Sequence, residues 1–208
     1  MARGNSNFEH LKLFFLKIKG LKKGETVHIE QEESQGKDQK PKKLLKEDGT
    51  PDTITEVTGV LDGVYIREGE YEGNKIHELK MNISDHLAGE RLILSCGMNS
   101  IGRDLMNQLL NIDSLGGEMQ LRVYMNKSGY PAVYFEYRGQ KLGWKYDWTV
   151  QSSMVDVNTI KQKGKDVTTR DFYRLEEKLI NEIKEKFMKS DQSATTTTAP
   201  AAEITRGA

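Results

Sequence analysis

The chain has 208 residues, 30% of them charged, with Lys+Arg and Asp+Glu equal at 31 each. That length allows one domain with a real core plus appendages, and no run approaches the roughly 20 apolar residues of a membrane-spanning helix. The zero formal charge argues against coating duplex DNA by bulk charge, and the lone Cys96 excludes an intramolecular disulfide and a multi-cysteine zinc site.

In chain order, the first seven residues carry no apolar h-region, so no secretory signal is expected, and the single cysteine makes a reducing, cytoplasmic location the expected one. Phe8–Lys19 and Thr26–Glu33 read as two strands of an N-terminal hairpin, joined by Gly20-Leu21-Lys22-Lys23-Gly24. Residues 34–52 are polar and full of breakers, which predicts a mobile loop and ends a first region, 1–52. Region 53–150 is the expected core. Ile54–Arg67 is rich in Val, Thr, Ile and Tyr, and its Gly59 and Gly63 suggest bulges that bend one long strand through two layers.

A turn at Glu68–Asn74 is followed by strands at Lys75–Ile83 and Arg91–Cys96. Asn99-Ser100 can cap a helix with Ile101, Leu105, Leu109 and Ile112 on one stripe. Two further strands, Glu118–Asn126 and Pro131–Arg138, are joined by the turn Lys127–Tyr130. Three strands, a helix and two strands, the first strand bent, is the order of a five-stranded OB-type barrel. The fold class expected is therefore mainly β, with an inter-strand helix, the N-terminal hairpin and a C-terminal amphipathic helix.

Residues 149–168 read as a connector, within a region 151–190 that ends in the helix 169–189. Thr168 and Asp171 form a capping-box pattern there, and Phe172, Leu175, Leu179, Ile183 and Phe187 make its apolar stripe. That stripe either packs on the barrel and N-terminal strands or meets a partner. Residues 191–208 form a Thr/Ala-rich tail expected to be disordered.

Catalysis finds little support. The histidines, His10, His28, His77 and His86, lack metal-ligand spacing, although His10 and His28 lie on neighbouring strands. No phosphate loop, Gly-x-Ser-x-Gly elbow or His-Glu-x-x-His occurs. Cys96, at the end of Leu92-Ile93-Leu94-Ser95, reads as a small buried hydrophobe. No cofactor, no metal and no enzymatic activity are expected.

Rings and cations point elsewhere. With Leu121, Val123 and Met125 inward, Arg122 and Tyr124 face out, because side chains alternate along a strand. Tyr134 and Arg138 join them from the next strand, with Trp144 and Lys145 just behind. Strand and loop positions that frame an OB ligand groove add Tyr65, Arg67, Lys75, Lys80, the Glu68–Asn74 loop with Tyr71, and the Lys127–Tyr130 loop. Stacking on an aromatic is worth about 1–3 kcal/mol per base, and Lys and Arg hold phosphates. Any of these rings can instead be packing, Trp144 and Trp148 against the barrel end or the C-terminal helix. The glutamates Glu68, Glu70 and Glu72 beside Tyr71 would repel phosphate.

From Thr53 to Trp148, the strand order, the helix after Cys96 and the Gly129–Arg138 hairpin segment resemble single-stranded DNA-binding proteins of bacteriophages and bacteria. The resemblance implies non-catalytic binding of single-stranded DNA with little sequence preference, in support of replication, recombination or repair. It also implies oligomers, and a phage-type replication accessory role in a host cytoplasm. Members of that group often end in an acidic tail. Here Ser190–Ala208 holds only Asp191 and Glu203 against Arg206, so the C-terminal helix is the better candidate for contacts with a replication protein or a second copy. RNA binding is a further reading, as is an OB-like protein-interaction or virion structural module.

Overall fold

The computed structural model describes residues 12–36, 39–85, 87–162 and 165–188. The N-terminal part supplies β1 (Lys12–Lys19), β2 (His28–Glu33), the two-residue β3 (Lys42–Lys43) and β4 (Thr53–Ile54). The centre supplies β5 (Glu56–Tyr71), β6 (Asn74–Asp85), β7 (Glu90–Gly97), α1 (Ser100–Leu109), β8 (Gly117–Met125), β9 (Pro131–Tyr137) and β10 (Gln140–Lys141). Last come α2 (Trp148–Ser152), β11 (Asp156–Gln162), β12 (Lys165–Asp171) and α3 (Tyr173–Ile183), which continues as a π-helical turn over Lys184–Met188. The expected strand residues Phe8–Leu11, with His10, lie outside the described residues, as do His86 and the Thr/Ala tail.

The long strand β5 organises the sheet. Its first half pairs antiparallel with β8, and from Val60 onward it pairs with β6. The register slips between Leu61 and Gly63, and Gly59 sits at φ +150, so the bend falls where the two glycines placed it. A side chain at Gly59 would come within 2.6 Å of the Ile83 side chain and 2.9 Å of the Ser84 carbonyl, a second reason for glycine there. The strand runs on to Tyr71, and Glu72 and Gly73, both at positive φ, make a two-residue hairpin turn to β6.

Around β5 the hydrogen-bonded order is β10-β9-β8-β5-β6-β7-β1-β2-β3. The five strands expected for a barrel are neighbours in the order β9-β8-β5-β6-β7, but they form part of a large mixed sheet that does not close into a barrel. At the edge of β7 the chain places β1 in parallel register, Leu16 opposite Leu94, and β1 then pairs antiparallel with β2. The N-terminal hairpin thus occupies an edge that barrel closure would need. The sheet is pinned at one corner all the same, because Ile54 and Thr53, just ahead of β5, pair with Ile29 and Glu30 of β2.

The segment expected as a mobile loop is partly built into this corner. Lys42 and Lys43 pair with β2, and a turn closed by Asp48 and Thr50 brings Leu45 opposite Pro51. Both ends of the strand path, β10 and β3, are two residues long and carry lysine, which limits edge-to-edge pairing.

One face of the sheet holds the core. Leu16, Ile29, Leu61, Met81, Ile83, Leu94, Leu121 and Phe135 are buried there. The helix α1 lies over it, capped by Asn99, whose side chain accepts from the Gly102 amide. Ile101, Leu105, Met106 and Leu109 are completely buried, and each such side chain contributes roughly 1.5–3 kcal/mol. Beside it α3 buries Leu175, Leu179 and Ile183, and Phe187 follows on the π-helical turn. Arg103 ties the two helices, donating to Glu176 at 2.6 Å and lying 3.9 Å from the Phe172 ring centroid. The apolar stripe therefore packs inside the molecule. Burial pushes the Asp104 carboxyl of α1 up to about 6.

The C-terminal region differs from its expected form in two ways. The connector is an antiparallel hairpin, β11 with β12, in a sheet of its own. The capping box is absent, because Thr168 belongs to β12 and the N-cap of α3 is Phe172, which has no capping side chain; Asp171 still serves the helix start, its Oδ1 accepting from the Tyr173 amide at 2.9 Å.

Candidate nucleic-acid interface

Opposite the core, the sheet presents a face that α1 and α3 do not cover. Along β8 this face carries Glu118, Gln120, Arg122 and Tyr124, and along β9 Glu136, Tyr134 and Ala132. Arg122 stands directly across from Tyr134, and Tyr124 across from Ala132, so both rings and the guanidinium share one patch. Tyr124 is 44% exposed and Tyr134 about half-buried. Lys141, turned back on β9 by β10, lies 5.6 Å from the Tyr134 ring centroid.

The charges of this patch are largely satisfied from within. Glu56, in register with Arg122, accepts from its Nε at 2.7 Å and from Gln120 at 2.7 Å. These hydrogen bonds, Gln120 first and then Arg122, hold the Glu56 carboxyl below its ordinary range. The Tyr134 hydroxyl donates to Glu136 at 2.6 Å, which raises the phenol above its usual value.

The face also has a direction. At the Gly117 end of β8 it sinks into an open hollow of about 440 Å³ whose lining includes Thr58, Ser84, Asp85, Glu118, Gln120 and Glu136. Three of its eleven lining residues, Asp85, Glu118 and Glu136, are acids. At the other end come Arg122, Tyr124 and the Lys127–Tyr130 turn, without an acid in the turn.

The remaining expected site residues separate. Tyr65, Arg67 and Tyr71 share the open face farther along β5. Lys80 shares it too but is buried, donating to Ser95 at 2.5 Å and paired with Glu78 at 2.8 Å, so it is not free to hold phosphate. Lys75 pairs with Glu70 on the opposite side of that hairpin, beside Glu176, Glu177 and Lys184 of the C-terminal helix. Arg138 also leaves the patch: at φ 50 it folds back on the Tyr137 ring and donates to Ser114 Oγ at 3.0 Å. Its position just past the strand end, not the strand alternation, sets its direction.

Trp144 and Lys145 go to the helix side. Asn107 of α1 accepts from the Tyr146 amide and donates to the Tyr146 carbonyl, both at 2.9 Å. Asn111 donates to the Gly143 carbonyl at 2.9 Å. These bonds strap residues 143–146 to α1 and leave Trp144 45% and Trp148 53% exposed.

Groups that could suggest chemistry are otherwise occupied. Burial pushes the Cys96 thiol up to about 12, so it carries no thiolate at neutral pH. His28 Nδ1 lies 2.9 Å from the Thr26 carbonyl, and His77 3.9 Å from Glu68. Among the described residues no group of three or more His, Cys, Asp or Glu side chains could hold a metal ion, and no helix is long and apolar enough to cross a membrane.

The Lys127–Tyr130 loop, expected to frame the ligand, has a neighbour that sequence reasoning missed. The β1–β2 loop and the β8–β9 turn, about 100 residues apart in the chain, are joined backbone to backbone where the Gly24 amide donates to the Gly129 carbonyl at 3.1 Å. Across that bond Lys23 Nζ lies 4.9 Å from the Tyr130 ring centroid. The Gly-Leu-Lys-Lys-Gly run was visible in the sequence; its neighbour was not.

Compared with protein-family models, with curated proteins and with solved structures, the chain finds no significant match.

Proposed function

We propose that this protein binds single-stranded nucleic acid, DNA in the first instance, without catalysis and with little sequence preference. In this reading β9-β8-β5-β6-β7 is an OB-type strand set held open by the N-terminal hairpin, and its free face is the binding surface. The observation that carries it is the register Arg122–Tyr134 with Tyr124 alongside, on a face that α1 and α3 leave uncovered. Bases stack on tyrosine at about 1–3 kcal/mol each regardless of identity. Acids at the Gly117 end repel phosphate and leave the Tyr124 end for the ligand. A role in replication, recombination or repair, phage-type, follows from the same reading, as do further contacts through exposed parts of α3.

Competition for a dye-labelled oligo-dT tests this. Unlabelled single strands should displace it and duplex DNA of equal length should not. RNA oligomers that compete equally would widen the ligand to single strands in general, since a stacking face does not sense the 2′-hydroxyl. Duplex that competes equally would end the reading. The tryptophans report separately. Being on the helix side, they should quench only if a longer strand passes round the β10 edge.

A further inference from the structure

The β1–β2 loop and the β8–β9 turn bring three lysines together in one corner of the surface. Lys22, Lys23 and Lys127 are exposed, and Tyr130 is 50% exposed. None of the three lysines is ion-paired among the described residues. Glu25, the acid of these two loops, accepts from the Lys22 backbone amide at 3.2 Å. Four other cations of the sheet meet carboxylates, Lys17 with Glu32, Lys43 with Glu30, Lys80 with Glu78 and Arg122 with Glu56, while Arg67, Arg91 and Lys141 stand singly along the open face without an ion pair among the described residues.

The corner is also held in place. Asn126 Oδ1 accepts from the amides of Ser128 and Tyr130, which fixes the turn. The Gly24–Gly129 bond fixes the two loops to each other. Tyr124 lies on the strand that enters this turn, and Tyr134 on the strand that leaves it. The Cα atoms of Tyr130 and Tyr134 can be at most about 14 Å apart, four residues at the extended spacing.

From these observations we infer that the corner is the phosphate-binding end of the interface. It grips the sugar–phosphate backbone of a single strand as that strand leaves the tyrosine face. The inference rests on the proposed function and adds its electrostatic half. On a chain of zero net charge, a distant field adds little, and screening at about 10 Å in 0.1 M salt leaves the attraction to cations close to the strand.

The test is the salt dependence of oligo-dT binding, with wild type beside a Lys22→Gln, Lys23→Gln, Lys127→Gln triple variant. Each phosphate contact contributes about 0.7 to the log–log slope for a single strand. The triple variant should therefore lose about 2 units of slope, and wild type should weaken about 16-fold more than the variant between 50 and 200 mM salt. A matching Lys→Arg triple variant should keep the wild-type slope. If the Gln triple is unfolded, Lys22→Gln and Lys127→Gln alone should each remove about 0.7 of slope. Tight wild-type binding with an unchanged slope in the Gln variants overturns the corner and leaves the tyrosine face standing. Failure of wild type to bind single strands overturns both.

Discussion

The tyrosine face and the lysine corner are neighbours built on opposite plans. On the face, geometry comes from strand register: Arg122 must stand across from Tyr134 and Glu56 beside Arg122, because directly paired residues share a side. That regularity brings counter-charges together with the rings and the guanidinium, and Glu56 accepts from Arg122 Nε as Glu136 does from the Tyr134 hydroxyl. In the corner, geometry comes from two loops tied by one backbone bond, and the lysine ammonium groups are left without carboxylates. Under the proposed function, the difference gives stacking to the face and charge to the corner.

The largest effect that would break this division comes from the rings. Replacing Tyr124 and Tyr134 by Ala together should weaken oligo-dT binding by at least tenfold, given about 1–3 kcal/mol per stacked base. The salt slope should not change and the melting temperature should hold. An unchanged affinity would remove the face from the interface.

A control that shifts stability while leaving both surfaces alone is Asp104→Asn in α1. The folded carboxyl titrates at about 6, above its ordinary 3.8. The fold therefore holds a proton more tightly than the unfolded chain, and this group's contribution is lost as pH rises from about 4 to about 6. At pH 7 the variant should be more stable by up to about 3 kcal/mol, shrinking toward zero below pH 4. Denaturant midpoints at pH 7 and pH 5 read this directly, and oligonucleotide affinity should stay at the wild-type value.

The smallest effect is the most specific. Glu56→Gln frees Arg122 and makes the face resemble the corner. Affinity should rise by a few-fold at low salt, and the slope should steepen by about 0.7, one added phosphate contact. No change in slope would mean that Arg122 faces no phosphate.

Much of this was readable from residue order. The alternation of Leu121, Val123 and Phe135 with Arg122, Tyr124 and Tyr134 fixed which side chains face out, because a strand has a period of two. Gly59 and Gly63 marked the bend, Asn99 the start of α1, and Leu175, Leu179, Ile183 and Phe187 the buried stripe of the last helix. What escaped depends on non-local partners. Parallel pairing of β1 with β7 joins residues 78 apart in the chain, and it turns an expected barrel into an open sheet. Lys80 reads as a free cation until Ser95 and Glu78 are seen to enclose it. The β11–β12 hairpin is mostly polar, and its three apolar residues, Val157, Ile160 and Val167, do not recur at every second position, so its strands show no apolar alternation to detect. The lysine corner follows the same rule. Each loop was visible, and their meeting was not.

Fluorescence anisotropy of a labelled oligo-dT, titrated with the wild-type protein from 50 to 300 mM salt, is the most direct check on the account. Saturable binding that weakens steeply with salt, and that equimolar duplex does not displace, is the expected result. Flat anisotropy at the lowest salt, or affinity indifferent to salt, would contradict it.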